Sequence, residues 1–266
     1  MHPGKGVHAS SDGLLGSDFS QLGFLNDLDD FIDDFGEGFS VRLGAGVLIA
    51  PNYLGDDSYG ARFYPKININ WRDRVELNNT QLRVALFHTE TIRAGAQLRY
   101  QFGRGADKRP DLVGLDPIGD AVELGGYLEW HPGLFAVGAA FGKDVAGGHG
   151  GTLVAVWAGS RIEIVENWVA AAGARATWAS GRYVNSYFGI TAMESALSGL
   201  PVFDAGSGLR DISTRLSVLY TGFGSWRVVG SFVYTRLLDD SADNPLVRER
   251  GSANQLVGLL SLQYSF

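Results

Sequence analysis

The feature that most constrains this chain is its last stretch, Asn254 to Phe266, which reads NQLVGLLSLQYSF. Counted back from the carboxyl end, one parity is almost wholly apolar: Phe266, Tyr264, Leu262, Leu260, Gly258 and Leu256. The other holds Ser265, Gln263 and Ser261, then Leu259, Val257 and Gln255. A period of two over this length means a β-strand with one apolar and one mixed face. The strand runs to the final residue and ends on an aromatic, where an ordinary soluble domain would fray and would have to cover the apolar face. Two folds remain: a β-sandwich or lipocalin-like barrel that supplies such cover, and a membrane barrel whose apolar face meets lipid. In the second, the last strand closes on the first, its aromatic end sits at the interface, and it is the segment expected to engage the barrel assembly machinery.

Composition narrows the function classes. The formal net charge of −7 comes with no basic run, which argues against a nucleic-acid partner. With no Cys there is neither a disulfide framework nor a Cys-based metal site. No apolar run reaches the ~18 residues of a transmembrane helix. A mean hydropathy of +0.01 suits a membrane barrel, because polar inward residues dilute the apolar outward ones. The opening MHPGKGVHASSDGLLG lacks a charged start followed by an apolar core, so no signal peptide is read there, and a processed or truncated chain is expected.

Two regions are expected: a leader with an acidic amphipathic segment over 1–36, and a barrel over 37–266. Residues 1 to about 20 read as a disordered Gly/Ser-rich leader. Leu22, Phe24, Leu25, Leu28, Phe31, Ile32 and Phe35 then recur at mostly helical spacing among Asp27, Asp29, Asp30, Asp33 and Asp34. The spacing predicts a short acidic helix, either binding a partner or packed on its own barrel.

From about residue 40 the period is two. Val41 to Ile49, Ala61 to Trp71, Ile92 to Phe102, Val122 to Trp130, Phe135 to Phe141, Trp168 to Trp178, Ile212 to Tyr220 and Trp226 to Tyr234 each alternate an apolar face with a small, polar or charged one. Residues 151–162 are apolar on both parities and leave their faces unassigned. Aromatics recur near the ends of the apolar faces, as Trp130, Trp168, Trp178, Tyr220, Trp226, Tyr234, Tyr264 and Phe266. That is the girdle expected at the two membrane interfaces. The other faces carry Arg93, Arg99, Glu123, Glu129, Arg175, Arg215 and Arg227 within strands. In a barrel these line the lumen, and opposite signs on the neighbouring strands 92–102 and 120–130 predict ion pairs and a lumen crossed by side chains.

Short connections near 88–91, 131–133, 163–166 and 221–225 alternate with longer ones near 103–119, 143–149, 179–208 and 237–253, the pattern of periplasmic turns and outer loops. Both ends are periplasmic only if the strand number is even, so residues 73–88 should form two short strands turning at Asn78-Asn79. The expected fold is all-β: an antiparallel transmembrane barrel of about 12 strands, with 10 as the alternative.

Several loop motifs then carry a resemblance. They are Pro51-Asn52-Tyr53-Leu54-Gly55-Asp56-Asp57, Tyr100-Gln101-Phe102-Gly103-Arg104 and the Gly-His-Gly-Gly at 148–151. The longest loop adds Tyr183 to Thr191 with Tyr187, Phe188 and Gly189, a short helix over AMESALSG ending at Ser198-Gly199, and Leu200-Pro201 with Asp204, Gly206 and Gly208. Arg236 to Val247, with Asp240 and Pro245, and Arg250-Gly251-Ser252 complete the set. In order from about residue 40 to the end, this resembles the MipA/OmpV family of outer-membrane proteins. The resemblance implies a barrel in the outer membrane of a Gram-negative bacterium. It also implies a scaffold role, joining a lytic transglycosylase that degrades murein to a penicillin-binding protein that makes it. Other members of the family are linked to adhesion, envelope stress and antibiotic response.

Catalysis finds little support. His88 and His131 fall in expected periplasmic turns and His149 in an outer loop, so no Ser-His-acid constellation is expected, nor a cofactor. Asp239, Asp240 and Asp243 read as a solvated outer loop, or as a bridge to lipopolysaccharide through divalent ions, rather than a specific metal site. Asp204 and Gly206 to Gly208 read as a tight turn with positive φ. Arg210, Arg236 and Arg250 are placed near the outer rim, against loop acids or lipid phosphates. The first reading is a scaffold that holds envelope enzymes through its periplasmic turns and acidic segment. The alternatives are a narrow small-solute channel and an adhesin acting through its outer loops.

Overall fold

The computed structural model describes residues 38–72, 74–105 and 109–266. The leader and the acidic segment over 1–36 lie outside the described residues, as does the helix expected there. Twelve antiparallel strands close into one barrel in which each strand pairs with its sequence neighbours and the last pairs with the first. They are β1 Phe39–Pro51, β2 Tyr59–Trp71, β3 Val75–Asn78, β4 Gln81–His88, β5 Ile92–Gln101, β6 Ala121–Trp130, β7 Phe135–Asp144, β8 Thr152–Val165, β9 Trp168–Ala179, β10 Gly208–Phe223, β11 Trp226–Leu237 and β12 Asn254–Ser265. No helix among the described residues is long and apolar enough to cross a membrane.

Closure follows from the alternation. On β12 the apolar parity, Leu256, Leu260 and Leu262, is exposed on the outside, whereas Gln255, Val257, Leu259, Ser261 and Gln263 are buried on the inside. A one-residue slip would invert every face, so the pattern fixes the register of Val47 opposite Leu260 and Ala45 opposite Leu262. Lipid on the outside and a fully paired ladder leave no open edge.

Residues 73–88 do form two strands. Their turn sits one residue later than expected, at Asn79-Thr80, with Asn79 at φ 48°. β3 is four residues long, pairs with Asn68–Trp71 on β2 and Gln81–Val84 on β4, and its short turn points toward the long-loop side of the barrel. The faces left open over 151–162 resolve on β8. Leu153, Ala155 and Trp157 are buried inside, while Val154 and Val156 face out.

Candidate functional site

The two ends of the barrel differ. At one end lie the turns around 72–74, 89–91, 131–134, 166–167 and 224–225, together with both strand termini at Phe39 and Ser265. Aromatic side chains pack on one another there: Trp168 on Tyr220 at 4.7 Å, Tyr220 on Phe223 at 4.9 Å, Trp226 on Tyr264 at 4.9 Å and Tyr264 on Phe266 at 4.7 Å. Trp130 is exposed on the outside near this end of β6, and Trp178 and Tyr234 stand toward the opposite end of β9 and β11.

At that opposite end the loops fold into a roof. Four short helices build it: α1 Gly181–Phe188, α2 Ala192–Ser198, α3 Asp239–Asp243 and α4 Pro245–Arg250. α2 carries a full capping box, with Thr191 accepting from the Glu194 N–H and Glu194 accepting from the Thr191 N–H, and closes on Gly199 at φ 77°. Two buried clusters hold the roof together. One gathers Leu54, Tyr183, Val184, Tyr187, Phe188, Leu237 and Val247, the other Tyr53, Leu112, Leu115, Ile190, Leu200 and Leu246. The loop motifs therefore converge: Tyr187 and Phe188 end α1 before Gly189, Ser198 to Pro201 leave α2, and Pro245 opens α4 beside Asp240 of α3.

Carboxylates staple this roof. Asp240 Oδ2 accepts from the Gly206 N–H at 2.7 Å, and Asp239 Oδ2 from the Leu209 N–H at 2.9 Å. Asp239 is exposed to solvent and Asp240 half-buried, and both are bonded within the chain as well. Gly206 and Gly208 do not take the positive φ expected of them. Their requirement is close approach: a Cβ on Gly208 would lie 2.8 Å from Asp239 Oδ2. Glu194 also accepts from the Asp116 N–H at 2.9 Å, joining α2 to the β5–β6 loop. Burial alone would raise the Glu194 carboxyl, but the N–H groups of Asp116 and Thr191 outweigh it and hold it below its usual value. Asp56 goes the other way, because burial outweighs its bond from the Ser58 N–H. A cavity of about 380 Å³ opens among Asp116, Ser186, Glu194, Phe203 and Asp204.

The three rim arginines differ. Arg210 is buried against Asp211 and donates to Tyr183 Oη at 2.7 Å, Arg250 donates to Asp111 O at 3.1 Å, and Arg236 to Asn254 Oδ1 at 3.1 Å.

Inside the barrel, charged groups form chains along one side of the wall. Arg99 Nε donates to Glu123 Oε2 at 2.7 Å, and His149 Nε2 lies 3.1 Å from Glu123 Oε1. His149 Nδ1 accepts from the Gly151 N–H at 3.0 Å, which places the imidazole proton on Nε2, toward Glu123. Although it belongs to an outer loop, His149 is buried and edges onto Tyr183. The loop turns inward because Asp144 accepts from the N–H groups of Ala146, Gly147, His149 and Gly150. Glu129 is bonded by Arg83, from β4, at 2.9 Å, with Arg93 opposite it in register on β5. Arg215 donates to Ser217 Oγ and Ser231 Oγ, Arg227 to Gln263 Oε1, and Arg175 is buried on β9. Arg83, His149 and the inward Lys66 were not singled out from sequence. Arg83 sits two strands from its partner, where cross-strand pattern does not reach.

The Ser186 hydroxyl donates to the His149 carbonyl, not to its ring, so no nucleophile is activated by it. Among the described residues no group of three or more His, Cys, Asp or Glu is placed to hold a metal ion.

A closed antiparallel ladder, an apolar outer face, short turns at one end and long loops at the other define a β-barrel of the outer-membrane type. More narrowly, the chain belongs to the MipA family, since the family model described as MltA-interacting protein MipA matches residues 43–266. It is 36% identical over 70 residues to the MltA-interacting protein of Escherichia coli strain K12, covering 26% of this chain and 28% of that protein, and the same figures hold for Shigella flexneri. The matched stretch thus spans little more than a quarter of those curated relatives. Among solved structures, an outer membrane channel from Pseudomonas putida F1 aligns with a TM-score of 0.45 at 11% identity, over 88% of this chain and 97% of that one. The NanC porin aligns with a TM-score of 0.43 at 8% identity, over 85% of this chain and 99% of that one.

Proposed function

We propose that this protein is a non-enzymatic, non-conducting scaffold of the Gram-negative outer membrane that offers its periplasmic face to peptidoglycan-remodelling enzymes. The partner class is a lytic transglycosylase, and with it a penicillin-binding protein. One observation carries the closed reading. Side chains on the inside of the barrel are out of solvent along its height, with Ser261 at 2%, Ala136 at 3% and Arg215 at 1% exposure, and the loop end is roofed by two apolar clusters. An open pore would leave such polar residues wet. The family name supports the partner class. The short turns at 72–74, 89–91, 131–134, 166–167 and 224–225 form the periplasmic rim on this reading, with the ring of Trp130, Trp168, Tyr220, Trp226, Tyr264 and Phe266 at its lipid interface and the roof against lipopolysaccharide. β12, ending at the rim, is the segment for the barrel assembly machinery.

Cross-linked pull-down from native envelopes tests the reading. Recovery of lytic transglycosylases or murein synthases is expected. An empty pull-down with the barrel folded and present would remove the scaffold. The roof cavity favours a second reading, a surface ligand or adhesin site, which loss of surface binding on deleting 192–207 would support.

A further inference from the structure

The short-turn rim is stepped. β6 and β7 end at the turn 131–134, but β8 runs on past them. It pairs with β7 only as far as Ser160 opposite Phe135, and the Arg161 N–H still donates to Leu134 O at 3.1 Å. Beyond that point Ile162, Glu163 and Val165 pair with Ala170, Val169 and Trp168 of β9 alone, with a bulge at Ile164. Among the described residues this is the longest overhang at this end of the barrel. β4 passes β3 only over Leu86 to His88, which hold no carboxylate. The side of β8 that β7 has left is an open strand edge.

Alternation decides what that edge presents. The Arg161 N–H points toward β7, and in an antiparallel strand every second residue turns its N–H and C=O to the same side. Glu163 therefore offers its backbone N–H and C=O at the step, where β7 no longer runs. The side chains are open to solvent too: Ile164 is at 58% and Val165 at 60% exposure, and Glu163 and Glu166 are exposed. Ile162 and Ile164 share the outward parity of Val154 and Val156 and belong to the lipid side. Lipid covers such side chains but cannot extend a ladder. An open edge accepts an extended segment as one more strand, the backbone supplying affinity and the side chains the choice of partner.

Charge indicates which segment. Glu163 and Glu166 make the tip of the hairpin acidic, and Arg161 already has an interaction of its own. A second copy of this chain would set glutamate beside glutamate, and like charges facing each other across a ladder are destabilising. A strand with Lys or Arg opposite Glu163 is favoured by the same rule.

We propose that β8 from Ile162 to Val165 is the docking edge of the rim, and that it takes by strand addition an extended, basic segment of a periplasmic protein, laid in the step between β8 and the turn 131–134. The proposal rests on the short-turn rim being the periplasmic face, and it names the part of that face that binds.

Glu163→Pro tests it with the barrel's own ladder intact, because proline removes the N–H on the open side and leaves the bonds to β9. Two short capped peptides serve as probes, one alternating Val with Lys and one alternating Val with Glu, added to the full chain in a non-ionic detergent. Hydrogen exchange of the Glu163 amide should be fast in the free chain, slow with the Val-Lys peptide and unchanged with the Val-Glu peptide. Glu163→Pro should lose binding of a fluorescent Val-Lys peptide while the barrel stays heat-modifiable. If that variant does not fold, Glu163→Lys should exchange the preference and take the Val-Glu peptide. Unchanged exchange at Glu163 with the Val-Lys peptide overturns the docking edge, and equal slowing by both peptides overturns the basic partner. In native envelopes Glu163→Pro should also lose the murein enzymes that the unaltered chain cross-links. Equal recovery by both chains overturns the edge and leaves the scaffold standing. An empty pull-down by the unaltered chain removes the scaffold, and the peptide exchange still decides the edge.

Discussion

The roof and the inward wall are both shielded from water, but by different means. The roof is a small folded body with its own core: aromatic stacking of Tyr183 on Tyr187 at 4.6 Å, two apolar clusters, capped helices and carboxylates bonded to backbone N–H groups. The wall has one apolar cluster of its own, with Leu48, Tyr64, Trp157, Val233, Val257 and Leu259, set among polar and charged groups. It also buries arginines, glycines and serines, and its fixed charges are paired between strands, Arg99 with Glu123 on the next strand and Arg83 with Glu129 two strands away. A region that fills itself can be perturbed alone. A region held by charge pairs between strands responds through the ladder those strands form.

The largest effect should come from the wall. Glu123→Ala leaves the half-buried Arg99 without its carboxylate and should cost about 3 kcal/mol, read as a lower heat-modifiability midpoint in detergent. Arg99→Met with Glu123→Leu should recover most of that loss, because the pair is removed together. Tyr187→Ala, which deletes a buried ring and its bond to Gln101, should cost about 3 kcal/mol and act on the roof alone. Protease should then cut at 181–208 while the strands remain protected; equal loss in both regions would break the distinction drawn here. Leu260→Arg, at 62% exposure on the lipid face, should cost about 2–4 kcal/mol in lipid, and Tyr264→Arg near the rim about 1 or less.

A change of similar size, about 1 kcal/mol, is expected of Glu194→Gln, seen as faster exchange of the α2 amides. Its pH dependence has a definite sign. The folded Glu194 carboxyl lies below its usual value, so its contribution is fully present above the unfolded value of about 4.3 and is lost as pH falls through the folded one. Acid should loosen α2 in the native chain, and Glu194→Gln should remove that sensitivity.

Most of the barrel was legible in the sequence because lipid imposes a strict period of two on the outward face, as on β9 between Trp168 and Trp178. β8 resisted because its inward residues, Leu153 and Trp157, are also apolar and erase the contrast between faces. The roof helices α1, α3 and α4 are one to two turns long, too short for a 3.6-residue period to show. His149 was placed in an outer loop, and nothing local marks it as buried. The nearest signal is Asp144 followed by a glycine-rich run, a turn in which one carboxylate gathers several N–H groups and folds the histidine onto Glu123. Ion pairing between strands 92–102 and 120–130 is present in Arg99 with Glu123, whereas the bond from Arg83 to Glu129 skips a strand, and cross-strand pattern does not show it.

The central claim, a barrel closed to solutes, is tested most directly by the conductance of the full chain reconstituted in planar bilayers. The account predicts a silent membrane across the voltage range in which a porin control conducts. Discrete, reproducible conductance steps from the purified, heat-modifiable chain would contradict it and make this protein a channel.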